Sequence, residues 1–107
     1  MVQNDFEGVL LIDKPTGITS HDVVDCVRRK LKMKRVGHAG TLDPFAEGIL
    51  LVCTGEKTKK VPDLHKLNKS YIAQIKLGER TDTLDIDGEV IQKETVPRIT
   101  SKSLKLI

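Results

Sequence analysis

The residues best suited to chemistry lie in one stretch, Gly37-His38-Ala39-Gly40-Thr41-Leu42-Asp43-Pro44. It carries a carboxylate at Asp43 and an imidazole at His38. Gly37 and Gly40 let the backbone take unusual angles or approach a ligand closely. The proline after Asp43 biases that residue away from helix and toward an extended conformation. A basic stretch precedes the segment and an apolar run follows it. Such a loop could hold a carboxylate on a fixed scaffold near an anionic polymer. The competing reading is a turn in which Asp43 caps a backbone amide and His38 bonds to backbone.

Other candidate groups are weaker. Thr83, Asp85, Asp87, Gly88 and Glu94 fall on the spacing of a calcium-binding EF-hand loop. The first position is threonine, and the flanks read as strands rather than helices, so calcium is not expected. His21, Cys26, His38, Cys53 and His65 have no zinc-like pairing, so no metal site is expected. The Gly-His-Ala-Gly run lacks the Lys-Ser/Thr end of a phosphate-binding P-loop. Aromatic residues are scarce, Phe6, Phe45 and Tyr71, which argues against a platform that stacks several unpaired bases. Tyr71 by itself reads equally well as a core residue.

Charge supplies a partner class. The formal net charge is +3, and the cations are clustered. Arg28, Arg29, Lys30, Lys32, Lys34 and Arg35 form one group, and Lys57, Lys59 and Lys60 form another. Clustered cations attract phosphate backbones and release counterions on binding. A solvated helix face explains the same cluster without a partner, because cations near a helix C-terminus also suit its dipole.

These groups need elements to hold them. Gly8 to Asp13 is a short apolar run, readable as a buried strand. Pro15, Thr16 and Gly17 supply turn chemistry. Ser20 is the expected N-cap of an amphipathic helix reaching about Lys32, with Val23, Val24, Val27 and Leu31 on one stripe. Residues 37–48 hold three glycines and one proline and read as an irregular loop. Ile49 to Cys53 reads as a second buried strand, closed by Thr54 and Gly55. Glu56 to about Leu67 reads as helical, with Pro62 an unexpected interruption. Tyr71, Ala73, Ile75 and Leu77 alternate with polar and apolar neighbours as in a half-buried strand. A polar loop over 78–88 ends in Asp87-Gly88, followed by a strand over Glu89 to Lys93. Thr100 or Ser101 should cap a last helix through Leu104, Leu106 and Ile107. The fold class expected is α+β, a mixed sheet with flanking helices, incomplete at the C-terminus.

At 107 residues the chain can form one domain, and 38% hydrophobic residues give a soluble globular composition. No stretch approaches the roughly 18 apolar residues of a membrane span. The start, MVQNDFEG, has no secretory signal. Two cysteines make no disulfide framework, so reduced thiols and a cytoplasmic location are expected.

Four stretches in this order carry a family resemblance. They are Gly8-Val9-Leu10-Leu11-Ile12-Asp13-Lys14-Pro15 with Gly17, then Gly37 to Leu50, then Lys69-Ser70-Tyr71, and last Leu77-Gly78-Glu79-Arg80-Thr81-Asp82-Thr83 with Asp85, Asp87 and Gly88. Together they resemble the TruB family of tRNA pseudouridine synthases, and ordered motifs are far more specific than one short pattern. The resemblance implies that Asp43 is the essential nucleophile that lets uracil leave its ribose nitrogen linkage and reattach through carbon. It implies that His38 contacts the RNA where the target base has been extruded, that Tyr71 packs against the uracil, and that Asp85 lies near the site. Lys14 and Pro15 are expected to shape the loop rather than touch substrate.

The implied substrate is the T-loop uridine of tRNA, bound through the T-arm by a monomer without metal or organic cofactor. Residues 1–107 would be the N-terminal portion of the catalytic domain, with its second half and an RNA-binding domain missing. A guide-RNA-dependent synthase of the dyskerin type shares the aspartate loop, but the Arg80 to Gly88 stretch favours the stand-alone enzyme. A non-catalytic RNA-binding fragment is the rival of a different class. Two departures from the family pattern stand near the loop. Leu51 occupies a position where proline is frequent, and Glu47 places a second negative charge four positions from Asp43.

Overall fold

The computed structural model describes residues 6–104. The chain divides into two compact units, one ending at Ser70 and one beginning at Tyr71.

The first unit is built on a three-stranded sheet of order β1-β3-β2, with β1 over Gly8–Lys14, β2 over Val36–Ala39 and β3 over Gly48–Thr54. The central strand, β3, pairs antiparallel with both neighbours, Leu11 opposite Leu51 on one side and Ala39 opposite Leu51 on the other. The expected mixed sheet is therefore corrected, since both sheets among the described residues are antiparallel. The reason is topological. The crossover from β1 to β2 runs the two strands in the same direction, but β3 is inserted between them.

Helix α1, Ser20–Leu31, forms that crossover. Its valine stripe is buried as expected. Val23, Val24 and Val27 pack with Met33, Val36, Leu50 and Val52, and Leu10, Ile12, Ile18, Leu31 and Leu42 close the edges. Burying an aliphatic side chain of this size stabilises the fold by about 1.5–3 kcal/mol relative to exposure, so this cluster holds α1 on the sheet. The N-cap is Thr19, not Ser20. Thr19 has extended φ/ψ, its hydroxyl accepts from the Asp22 N–H, and the Asp22 carboxylate accepts from the Thr19 N–H. These hydrogen bonds complete a capping box and hold the Asp22 carboxyl below its usual pKa.

Two further expectations fail in this unit. Residues 36–39 are a strand, because β3 offers them a full edge of backbone partners that overrides their glycine content. The stretch after Thr54 is not one helix but a 3-10 helix, Gly55–Lys60, followed by a short α2, Val61–His65. Pro62 lies in the first turn of α2, where a missing N–H costs nothing.

The second unit contains a two-stranded antiparallel sheet of β4, Glu79–Thr81, and β5, Val90–Lys93, so part of the expected polar loop is strand. A short α3, Ser101–Leu104, starts as expected beside Thr100, whose hydroxyl accepts from the Ser103 N–H. Leu106 and Ile107 lie outside the described residues. The expected strand over Tyr71 to Leu77 is absent, and Tyr71, Ile72 and Ile75 are exposed. The alternating pattern is present, but the segment has no neighbouring strand among the described residues to bond its N–H and C=O groups. Among the described residues no helix is long and apolar enough to cross a membrane.

Candidate active site around Asp43

Asp43 lies in the connection between β2 and β3. Gly40, at φ +79°, turns the chain out of β2 through a conformation that suits glycine. The Asp43 main-chain carbonyl accepts from the Ala46 N–H at 2.9 Å, which closes a turn. Its carboxylate is exposed and has no hydrogen-bond or ionic partner among the described residues. The competing role as an amide cap is thus not what the side chain does.

The backbone on both sides of Asp43 is held. Before it, Leu42 packs its side chain against the core, and both its peptide groups bond to Ser20. After it, the Pro44 carbonyl accepts from the Gly17 N–H at 2.7 Å and from the Lys14 ammonium at 3.3 Å. The Thr16 hydroxyl donates to the Phe45 carbonyl at 2.9 Å. The segment from Lys14 to Ser20, which joins β1 to α1, therefore cradles the loop.

Lys14 is the centre of that cradle. It is fully buried, and its ammonium also donates to the carbonyls of Pro15 at 2.8 Å and Ile18 at 2.7 Å. Three acceptors match the three N–H donors of a lysine head group. This agrees with the expectation that Lys14 shapes the loop.

His38 sits on β2 opposite Val52 and is half-buried. Its Nδ1 is buried without a hydrogen-bond partner. Burial, reinforced by the charges of His65 and His21, pushes its pKa below the ordinary histidine value. The ring is consequently neutral at pH 7. His38 and Asp43 thus belong to one strand and the loop that leaves it.

Tyr71 and Asp85 belong to the second unit. Tyr71 is exposed. Asp85 organises its own turn, where one carboxylate oxygen accepts from the Thr83 hydroxyl at 2.6 Å and from the Asp87 N–H at 3.0 Å. The Asp85 main-chain carbonyl accepts from the Thr81 hydroxyl at 2.7 Å. No cluster of three or more His, Cys, Asp or Glu side chains suited to a metal ion occurs among the described residues. Glu47, the second charge in the loop, is exposed.

The basic cluster separates into two kinds of cation. Arg28 donates to the carbonyls of Lys34 and Val36, each at 3.1 Å, and pairs with Asp25 at 3.2 Å. Arg35 pairs with Glu56 at 2.8 Å and donates to the Thr58 hydroxyl. Lys59 pairs with the same carboxylate. Arg29, Lys30, Lys32, Lys34, Lys57 and Lys60 are exposed and have no partner among the described residues. They remain available to an anionic ligand.

Comparison with known proteins adds the chemistry. A family model described as TruB family pseudouridylate synthase (N terminal domain) matches residues 28–107. The tRNA pseudouridine synthase B of Opitutus terrae is 48% identical over 103 residues, covering 96% of this chain and 43% of that protein. The protein of the same name from Geotalea uraniireducens is 48% identical over 101 residues, covering 94% of this chain and 33% of its own length. That of Caldicellulosiruptor saccharolyticus is 55% identical over 83 residues, covering 78% and 29%. A chain in a structure of an H/ACA RNP bound to a substrate RNA containing 2'-deoxyuridine superimposes with a TM-score of 0.52 at 39% identity, covering 57% of this chain and 19% of that one. The present chain thus spans 29–43% of the length of these curated relatives.

Proposed function

The chain belongs to the TruB family of pseudouridylate synthases, and from that premise we propose that it supplies the N-terminal part of the catalytic domain of a tRNA pseudouridine synthase, with Asp43 as nucleophile. The observation that carries this reading is the state of Asp43. Its carboxylate is exposed and unpaired while the backbone on either side is tied to the β1–α1 connection. A group held in that way can attack without first breaking an internal bond.

The reaction is an isomerisation. The bond from uracil N1 to ribose C1′ breaks, a bond from uracil C5 to C1′ forms, C5 gives up its proton and N1 gains one. An ionised carboxylate beside the glycosidic bond serves either at the sugar or at the base. A stacked uridine hides that bond, so the base must be extruded. In this reading neutral His38 contacts the RNA at the vacated position, and the Tyr71 ring packs against the uracil. The family resemblance gives Asp85 a part in the same reaction, and its turn-forming hydrogen bonds favour a supporting role over direct contact. The substrate would be the T-loop uridine of tRNA, read through the T-arm by a monomeric cytoplasmic enzyme. The guide-RNA-dependent alternative is less favoured, because the relatives named tRNA pseudouridine synthase B match up to 96% of the chain.

The free cations give this reading a partner surface. Replacing Lys30, Lys32 and Lys34 by Gln should weaken tRNA binding and reduce the dependence of log K on log salt by up to about 2–3, the loss expected for three phosphate contacts. Arg28→Gln should lower thermal stability with little change in that slope, since its donors are spent on Asp25 and two carbonyls. Salt titrations of tRNA affinity decide between them. Equal slopes for the triple variant and the parent would place the RNA elsewhere.

The domain is proposed to need further sequence beyond these residues for activity. One face of the first sheet carries exposed Val9, Leu11 and Ile49, and an uncovered apolar sheet face calls for a packing partner. The test is tritium release from tRNA labelled at uridine C5. Residues 1–107 alone should release none above background, whereas a version extended to the length of the relatives should turn over. Turnover by residues 1–107 alone would show a sufficient site. Inactivity of the extended protein on tRNA would sink the functional assignment itself.

A further inference from the structure

Two hydroxyl residues stand side by side at the start of α1, and a helix N-cap needs only one. Thr19 takes that role. The Ser20 side chain is left free for another, and it is buried, at 3% exposure. Its Oγ accepts from the Leu42 N–H at 2.9 Å and donates to the Leu42 carbonyl at 3.1 Å. One hydroxyl thus brackets both polar groups of the residue before Asp43.

We propose that Ser20 is a positioning residue for the Asp43 carboxylate, acting by locking the Leu42 backbone to the first turn of α1. The inference rests on the reading of Asp43 as nucleophile and names the part that aims it. Three features support the assignment. Leu42 is already anchored through its side chain, which packs against the core cluster of the first unit. The bracket removes the remaining freedom of its backbone, which a side-chain anchor alone leaves open. On the far side, Pro44 is held by Gly17 and Lys14. Asp43 is therefore suspended between two fixed points, while its own carboxylate keeps every lone pair for substrate.

Serine suits the place for a chemical reason. The hydroxyl is both donor and acceptor on a single short arm. Alanine offers neither function, and a cysteine thiol is a poor substitute at both. A nucleophile displaced by about 1 Å can lose on the order of 100-fold in rate. The bracket does not touch the RNA, so its loss should leave binding alone.

The experiment uses the full-length protein that contains these residues, with variants Ser20→Ala, Ser20→Cys and Asp43→Asn. Single-turnover rate, tRNA Kd, thermal midpoint and hydrogen exchange at the Leu42 amide are measured for each. Ser20→Ala should slow the chemical step by about 10–100-fold, with Kd within twofold of the parent and faster exchange at Leu42. Ser20→Cys should fall between the two. If Ser20→Ala does not fold, Ser20→Cys carries the test, since the thiol keeps a weak donor and a weak acceptor at the site. Parental rates in the folded Ser20 variants, with Asp43→Asn inactive, would overturn the positioning role and leave the nucleophile intact. A rate loss matched by an equal loss of binding would also overturn it. Parental turnover in Asp43→Asn would remove the nucleophile reading, and the positioning role with it.

Discussion

Asp43→Asn is expected to reduce pseudouridine formation by on the order of 10⁴-fold or more, the scale on which enzymes respond to loss of a nucleophile. That corresponds to about 5 kcal/mol of transition-state stabilisation. The amide is nearly isosteric with the carboxylate, but it cannot supply the anionic attacking oxygen. Folding should be unaffected, because the side chain is exposed and bonds to no described residue. Binding of tRNA should change little, because phosphate contacts supply much of the affinity. The measurements are tritium release, tRNA affinity and thermal midpoint on the same preparation. A variant that binds poorly or unfolds would return Asp43 to a structural role, and one that turns over normally would end its candidacy.

Lys14→Met should destabilise the protein by about 2–4 kcal/mol, which is large for a single substitution. The thioether fills similar space but donates nothing. The carbonyls of Pro15 and Ile18 lose the ammonium as a donor, and Pro44 keeps only the Gly17 N–H. A carbonyl left without a donor costs up to about 1–3 kcal/mol when buried, and these are part-buried. Lys14→Arg should also be harmful, because a planar guanidinium cannot place three donors about one nitrogen. The same change at exposed Lys30 should stay within about 0.5 kcal/mol. Urea denaturation curves measure all three. A Lys14→Met midpoint equal to the parent's would mean that the three hydrogen bonds contribute no net stability.

Lys14 also shows how far apart residue identity and residue role can be. Lys14 is expected from the family resemblance to shape the loop, but lysine is rarely buried, and nothing in the sequence says how it would do so. Only the convergence of three carbonyls, one of them thirty residues away, makes its burial favourable. Ser20 is a similar case. The sequence shows two adjacent hydroxyls before a valine stripe, and the signal that could separate them is that one cap leaves one hydroxyl over. Which one is left over depends on Thr19 adopting extended φ/ψ and on Leu42 arriving beside the helix.

The local elements were legible where burial is periodic. The stripe of α1 announces itself by its period, and the runs of β1 and β3 by their apolar content, although their far face, with Val9, Leu11 and Ile49, is exposed and not buried as expected. Residue identity and spacing also marked Asp43 and His38, since a Gly-rich loop with Asp-Pro after an imidazole is a local pattern. The strand β2 was not legible. It has four residues, paired along one edge of β3, and no period emerges over so short a span. The segment from Tyr71 to Leu77 errs in the opposite direction, with a strand period but no neighbouring strand among the described residues.

Sequence alone therefore determined which segments could bury an apolar face and which carboxylate stands in the family's motif, because both are properties of neighbours along the chain. Tertiary structure decided which backbone groups meet across the chain. It made Lys14 and Ser20 the clamps on either side of Asp43, committed Arg28, Arg35 and Lys59 to internal bonds, and left Lys30, Lys32, Lys34, Lys57 and Lys60 without a partner among the described residues. The physical reason is that a hydrogen bond is set by distance and angle between groups far apart in sequence, and those are fixed only once β1, α1 and β3 have packed.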